Sequence, residues 1–278
     1  MSFIPQNISL PFFTYGLFKP NELCYYRIKD MIDSFKPDEM SGSLYMRDGI
    51  PFLICKENCS SIEGFTLHFA DPKEAYNRIA DIEPSKVYKW TEGVTVQGIK
   101  CNFLSGKSPD KGATPYDEHF SWRSLDDPYF NDAMEVVKEI LDNHKDFKYD
   151  FKNLYRVQGA YMILWVSIER YAGLKYYLGK DAAANKVYQI AEEKVFIETL
   201  KEVVTREKTV YSAADLSPQK LLRDNPEKSI RFYYQVRSNI VHRGKGVHRD
   251  FDLVYESCKQ LYEIFSKMLE DLFKGNRT

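Results

Sequence analysis

The spacing of apolar residues changes near the middle of the chain. As far as residue 106 they come in short runs broken by Gly, Pro and Asp, the pattern of strands and turns. Phe12 to Phe18 is one such run, interrupted at Gly16. Ser43-Leu44-Tyr45-Met46 predicts a strand that stops at Asp48-Gly49, and Pro51 to Cys55 and Ile62 to Phe69 predict two more. Val94 to Leu104 alternates about Gln97-Gly98, which predicts a hairpin. Two stretches read as helices, from about Glu22 to Phe35 and from about Pro72 to Ile82.

Residues 107–131 hold three Pro, one Gly and many polar side chains, and read as a linker closing on Asn131 as a helix cap. Beyond it the spacing is helical. Leu154, Val157, Tyr161, Leu164, Ile168, Tyr171 and Ala172 recur at three and four, which puts them on one stripe. Residues 182–204 continue that pattern. Asp215 to Pro226 reads as a loop, and a helix is expected from about Glu227 to His242, ending near Gly244. Phe251, Val254, Cys258, Leu261, Phe265, Met268, Leu269 and Leu272 mark a last amphipathic helix. The expectation is an α+β chain: a first domain over 1–106, a linker over 107–130, and an all-α bundle over 131–278.

Composition sharpens this only in places. A chain of 278 residues leads to a prior of two domains. With 44% hydrophobic residues it has material for two cores, which excludes wholesale disorder. A formal net charge of -1 points away from a nucleic-acid binder when the chain is read whole. The five cysteines are scattered. Cys55 and Cys59 form C-x3-C with no second pair at zinc spacing, so neither a metal nor a cofactor is expected. Reduced thiols, no long apolar run and no basic leader place the chain in the cytoplasm, away from membranes. His68, His119, His144 and His248 take no role.

Two groups of residues carry candidate chemistry. In the first half, Tyr15-Gly16-Leu17-Phe18 ends the first strand, Gly42 to Pro51 forms a Gly-x-Leu-Tyr…Gly-x-Pro hairpin, and Glu83 precedes the Tyr88 strand. A strand-end glycine lets backbone amides approach a ligand closely. A glutamate in an aromatic setting has a raised pKa and suits general-base work. In this order the parts resemble the gamma-glutamylcyclotransferase-like family. The resemblance covers residues 11–106 and implies a small mixed β-barrel with flanking helices. It also implies cyclisation of a gamma-glutamyl amine to 5-oxoproline, with Glu83 as base and Tyr15, Gly16, Leu17, Phe18 and Tyr88 around the substrate.

In the second half, Ser229 to Lys245 carries Arg237 and His242 in an Arg-x4-His spacing. On a straight helix the two lie about 140° apart, whereas Asn239 lies about 60° from His242. Both side chains therefore meet one phosphate only if the helix turns at His242 or a second copy supplies one of them. From Lys228 to Asp250 six basic residues face one acidic, with Phe232, Tyr233 and Tyr234 interleaved for stacking. That segment is hidden by the whole-chain charge.

The block, with Trp165 to Tyr171 upstream, resembles HEPN domains, helical bundles whose ribonuclease members carry Arg-x4–6-His. The resemblance implies RNA cleavage without metal from a site shared across a homodimer. His242 would move protons, Arg237 would steady phosphoryl charge and Asn239 would assist; Arg231, Arg243, Lys245 and Arg249 would hold RNA.

Three expectations follow. The first is a HEPN-type endoribonuclease whose cyclotransferase-like domain senses or modifies a small gamma-glutamyl or amine ligand, by analogy in stress or phage defence. The second is a gamma-glutamylcyclotransferase whose helical half only dimerises it, with Arg237 paired to Glu169. The third is a non-catalytic binding protein.

Overall fold

A computed structural model describes residues 3–54, 60–83, 85–107, 112–116, 121–143, 150–176, 183–243 and 248–274. The Cys55/Cys59 pair, His119, His144, Gly244 and Lys245 lie outside the described residues, as do the side chains of Arg243, His248 and Arg249. The chain forms two compact units, residues 1–127 and 128–278.

The first unit is a mixed, mostly antiparallel sheet. Its elements are β1 (Phe12–Thr14), β2 (Ile32–Ser41), β3 (Ser43–Arg47), β4 (Ile50–Ile54), β5 (Ser61–Phe69), α1 (Pro72–Ile82), β6 (Tyr88–Val94), β7 (Lys100–Gly106) and β8 (Thr114–Pro115). Asp48 and Gly49 both take positive φ, the two-residue turn that tight hairpins favour, and join β3 to β4. Gly98, at φ 82, turns β6 into β7 as the alternation predicts. Asp71 caps α1 through the Glu74 amide at 3.0 Å.

The pairing is a fork. One edge of β7 is taken by β6 along seven residue pairs. On the other edge β1 pairs at Asn102 and β4 at Ser105. A strand has only two edges, so β1 and β4 share this one end to end. From β1 the path runs to β5 and β2; from β4 it runs to β3 and β8. No pairing joins β2 to β8 among the described residues, so the expected barrel is not closed.

Two expectations fail here for physical reasons. The helix expected over Glu22 to Phe35 is two short 3-10 turns, Leu23–Arg27 and Lys29–Met31, after which the chain enters β2. Nine residues of β2 pair with β5, and that ladder outweighs local helical spacing. The segment read as a linker is tied into the first unit. Trp122 is fully buried, its carbonyl accepts from Lys19 Nζ, and the Ser124 amide donates to Glu22 at 2.8 Å.

The second unit holds α2 (Asp132–Asp142), α3 (Phe151–Lys175), α4 (Ala183–Tyr188), α5 (Lys194–Val203), β9 (Lys208–Tyr211), β10 (Pro218–Leu221), α6 (Pro226–Arg243) and α7 (His248–Lys274). Asn131 sits at the start of α2 but makes no side-chain cap bond. Every residue of the stripes foreseen on α3 and α7 is buried. The Tyr161 hydroxyl donates to the Tyr233 carbonyl at 2.8 Å, locking α3 to α6. The unit is not purely helical: β9 and β10 form an antiparallel hairpin, part of it in the stretch read as a loop. Strands of four residues carrying Lys208, Pro218 and Lys220 show too little alternation to be read in advance.

Candidate functional site

The fork in the sheet makes a cleft in the first unit. Thr14 to Phe18 line it together with Ile50, Pro51, Glu83, Tyr88 and Leu104. Tyr15 to Phe18 and, some seventy residues further on, Glu83 and Tyr88 thus line one cleft. About 300 Å3 of empty space lies there, partly open to solvent, and the enclosed part has room for about one water molecule. Two larger hollows, one beside Lys19, Asp38 and Glu63 and one beside Lys208 and Glu256, touch none of these residues.

Each wall of the cleft has a local cause. Gly16 is required by close approach, since a Cβ there would lie 2.9 Å from Pro51 Cγ. Tyr15 donates its hydroxyl to the Leu104 carbonyl at 2.6 Å, and Tyr88 donates to the Pro51 carbonyl at 3.2 Å. Both phenols therefore brace β7 and β4 rather than point freely into the cleft. Glu83 sits at the C-terminal cap of α1 in extended conformation, which turns the chain into the approach to β6.

Glu83 is 9% exposed. Burial pushes its carboxyl up to about 7, with the Arg27 guanidinium pulling the other way. Burial pushes Tyr88 well up too, and the neighbouring Glu83 and Tyr15 add to it. Sequence reading missed Arg27 and the carbonyl acceptors, because neither comes with a spacing signal.

The second group has a different geometry. Arg237 Nη2 lies 3.2 Å from Glu169 Oε1, an ion pair from α6 to α3, with about a quarter of the Arg237 side chain exposed. The guanidinium also lies 5.7 Å from the Tyr234 ring centroid. Its Nε–H has no acceptor among the described residues. His242 is exposed. Because α6 runs unbroken to Arg243, there is no turn at His242, and one copy leaves the two side chains about 140° apart.

Asn239 does not stand beside them as a free polar group. It is buried, its Oδ1 accepts from the Ala213 amide at 3.1 Å and from Gln235 Nε2 at 2.9 Å, and its Nδ2 donates to the Tyr211 carbonyl at 2.8 Å. The bonds to Ala213 and Tyr211 pin the β9–β10 hairpin to α6, and the one from Gln235 steadies Asn239 within the helix. Arg231 is exposed and lies 4.1 Å from the Tyr188 ring centroid, a cation over an aromatic face at the surface. No helix among the described residues is long and apolar enough to cross a membrane.

The two groups differ in what they admit. The cleft favours proton transfer in a confined, apolar setting. The α6 surface offers a fixed guanidinium, an exposed imidazole and an exposed Arg–aromatic stack to something large. Compared with known proteins, the chain matches no protein-family model, no curated protein and no solved structure.

Proposed function

We propose that the chain is an endoribonuclease of the HEPN type its helical half resembles, acting as a pair of copies without metal. The observation that supports this best is the exposed imidazole of His242 on the same helix as Arg237 and as Arg231, which lies exposed over the Tyr188 ring; the Arg237–Glu169 ion pair is the one expected of a purely dimerising bundle. RNA is large, and only groups at a surface can reach its backbone. In this reading a ribose 2′-hydroxyl loses its proton to a neutral His242 and attacks the adjacent phosphorus. The bond to the 5′-oxygen breaks, and that oxygen takes from His242 the proton that the imidazole received from the 2′-hydroxyl. The products are a 2′,3′-cyclic phosphate and a 5′-hydroxyl. Arg237 donates to the phosphoryl oxygens as their charge grows. Arg231, Arg243, Lys245 and Arg249 track the strand, and Asn239 acts indirectly by positioning the hairpin beside α6.

The test is cleavage of a single-stranded RNA by the purified chain with a chelator present. Loss in His242→Ala and in Arg237→Ala, with unchanged melting, supports the reading. A His242→Ala protein that cuts as fast as wild type overturns it.

A second reading rests on its own observation: Glu83, near pKa 7, closes a cleft lined by Tyr15 to Phe18. These are the positions the cyclotransferase-like resemblance singles out, on a forked sheet in place of a closed barrel. In that reading Glu83 takes a proton from the α-amino group of a gamma-glutamyl amine. The amine attacks the side-chain carbonyl, and 5-oxoproline and the free amine leave. The cleft is narrow for this, so widening on binding is part of the reading. Release of 5-oxoproline that is lost in Glu83→Gln supports it, and no release from a panel of gamma-glutamyl amines counts against it. Binding of such a compound without turnover would make the cleft a sensor for the nuclease half.

A further inference from the structure

The hollow beside Lys19 in the first unit is lined by charges that the fold leaves unmatched. It holds about 330 Å3 and is partly open to solvent, a size in the range of about 300–1,000 Å3 usual for small-molecule sites. Lys19 is 5% exposed. Its Nζ donates to the Ser121 hydroxyl at 3.1 Å and to the Trp122 carbonyl, both neutral acceptors. An ammonium has three donors, and the third meets no acceptor among the described residues. Ser121 lines the hollow along with Lys19, so the charged end of the side chain, and not only its stem, stands at the wall. Glu22 and Glu63 act on this charge from a distance, but no carboxylate forms an ion pair with it among the described residues. Burial accordingly pushes the amine below its usual pKa. A buried cation without an ion-pair partner is costly, and an anion from outside relieves that cost.

The opposite charge stands nearby. Glu39 on β2 and Glu63 on β5 are direct partners in the ladder, so their side chains share one face of the sheet. Both are exposed and both line the hollow. Like charges directly opposite each other across a ladder are destabilising. Neither forms an ion pair among the described residues, and Glu39 accepts only from the Ser61 hydroxyl. Asp38 lines the hollow too, but the Glu39 amide at 2.8 Å and the Thr66 hydroxyl at 3.0 Å already hold its carboxylate. Phe65 and Val96 add apolar wall.

We propose that this hollow is a binding site for a free basic α-amino acid, arginine or lysine. Its α-carboxylate accepts from Lys19, its α-ammonium and its cationic side chain meet Glu39 and Glu63, and its methylenes lie along Phe65 and Val96. Such a ligand carries one negative and two positive charges, the complement of the one ammonium and two carboxylates left unmatched. A neutral amino acid leaves one carboxylate without a partner, and an acidic one adds repulsion. The hollow shares no residue with the Glu83 cleft and belongs to the other unit from His242, so the proposal stands or falls apart from both functional readings.

The experiment is calorimetric titration of the full chain with L-arginine and with two analogues that each lack one charged group. Agmatine has no carboxylate, and Nα-acetyl-L-arginine has no α-ammonium. L-arginine is expected to bind, and each analogue to bind about tenfold more weakly or worse, the usual effect of losing a hydrogen bond to a charged group. L-glutamate is expected to give no binding heat. Glu63→Gln is expected to weaken L-arginine by about threefold or more, with no loss of thermal stability, since Glu63 is exposed and faces a like charge. Lys19→Met keeps the stem of the side chain and is expected to remove the preference for L-arginine over agmatine. A chain that binds neither L-arginine nor L-lysine at millimolar concentration overturns the proposal. So does agmatine or L-glutamate binding as tightly as L-arginine, or L-arginine binding that Glu63→Gln leaves unchanged. If Lys19→Met does not fold, the agmatine comparison on the wild-type chain still tests the role of Lys19.

Discussion

The two units treat their chemically capable residues in opposite ways. The first brings the consecutive residues Tyr15 to Phe18 together with Glu83 and Tyr88 from later in the chain along one cleft, whose enclosed part holds about one water. The second leaves His242 at the surface and anchors Arg237 by an ion pair to Glu169 on α3 and a contact with the Tyr234 ring. A cleft tunes proton affinity by excluding water, as Glu83 illustrates, but it selects small ligands. An open helix face does little to tune, but its groups stand where a large partner can reach them. If the proposed site is shared between two copies, convergence within one chain is the wrong test for it.

The sharpest way to break this comparison is His242→Ala. General acid–base groups contribute about 10²–10⁴ in rate, and RNA cleavage is expected to fall by that order while thermal melting stays put. Cleavage that persists would return the second unit to a purely structural role.

Next in size is Asn239→Ala, measured by thermal unfolding and by hydrogen exchange at residues 208–221. It removes three hydrogen bonds and strands the Ala213 amide and Tyr211 carbonyl. A loss of about 2–3 kcal/mol is expected, with faster exchange in the hairpin. Lost cleavage with neither change would restore Asn239 as a catalytic residue.

Glu83→Gln probes the other side of the comparison through pH. The folded carboxyl titrates near 7 and an unfolded one near 4.5. Between those values the folded state binds the extra proton, so stability is greatest at low pH and declines as pH rises through about 7. Glutamine cannot ionise. The variant is expected to flatten that decline and to be more stable than wild type at pH 8, by about 1–3 kcal/mol. Equal pH profiles for the two proteins would show that Glu83 is solvated after all.

The smallest effect is expected from Glu169→Gln. The ion pair is partly exposed on both sides, so stability should change by less than about 1 kcal/mol. If Glu169 positions Arg237, KM for RNA should rise while the rate at saturation changes little, and Glu169→Asp should recover part of the loss.

Much of this was legible in the sequence, and the gaps have physical reasons. Long elements with strong periodicity came through, α3 and α7, and so did the extent of α1. So did the β6–β7 hairpin, because Gln97-Gly98 supplies the turn. The strand β2 did not, because an edge strand with Pro37 in its middle is defined by its partner β5, far along the chain. Trp122 looked like linker because burial of a lone aromatic leaves no periodic trace. For the cleft, the order of short motifs pointed to its lining residues, while the bracing carbonyls of Pro51 and Leu104 are backbone groups invisible to side-chain reading. Asn239 was misread for a related cause: its partners lie in a hairpin that the sequence conceals.

The central claim is that Arg237 and His242 act on one phosphate from two copies of the chain. Mixing inactive Arg237→Ala protein with inactive His242→Ala protein tests it. In a mixed pair one of the two shared sites keeps both side chains, and mixed pairs make up half of a random mixture. Cleavage should return to about a quarter of the wild-type rate. A mixture as inactive as its components, beside an active wild type, would contradict the claim.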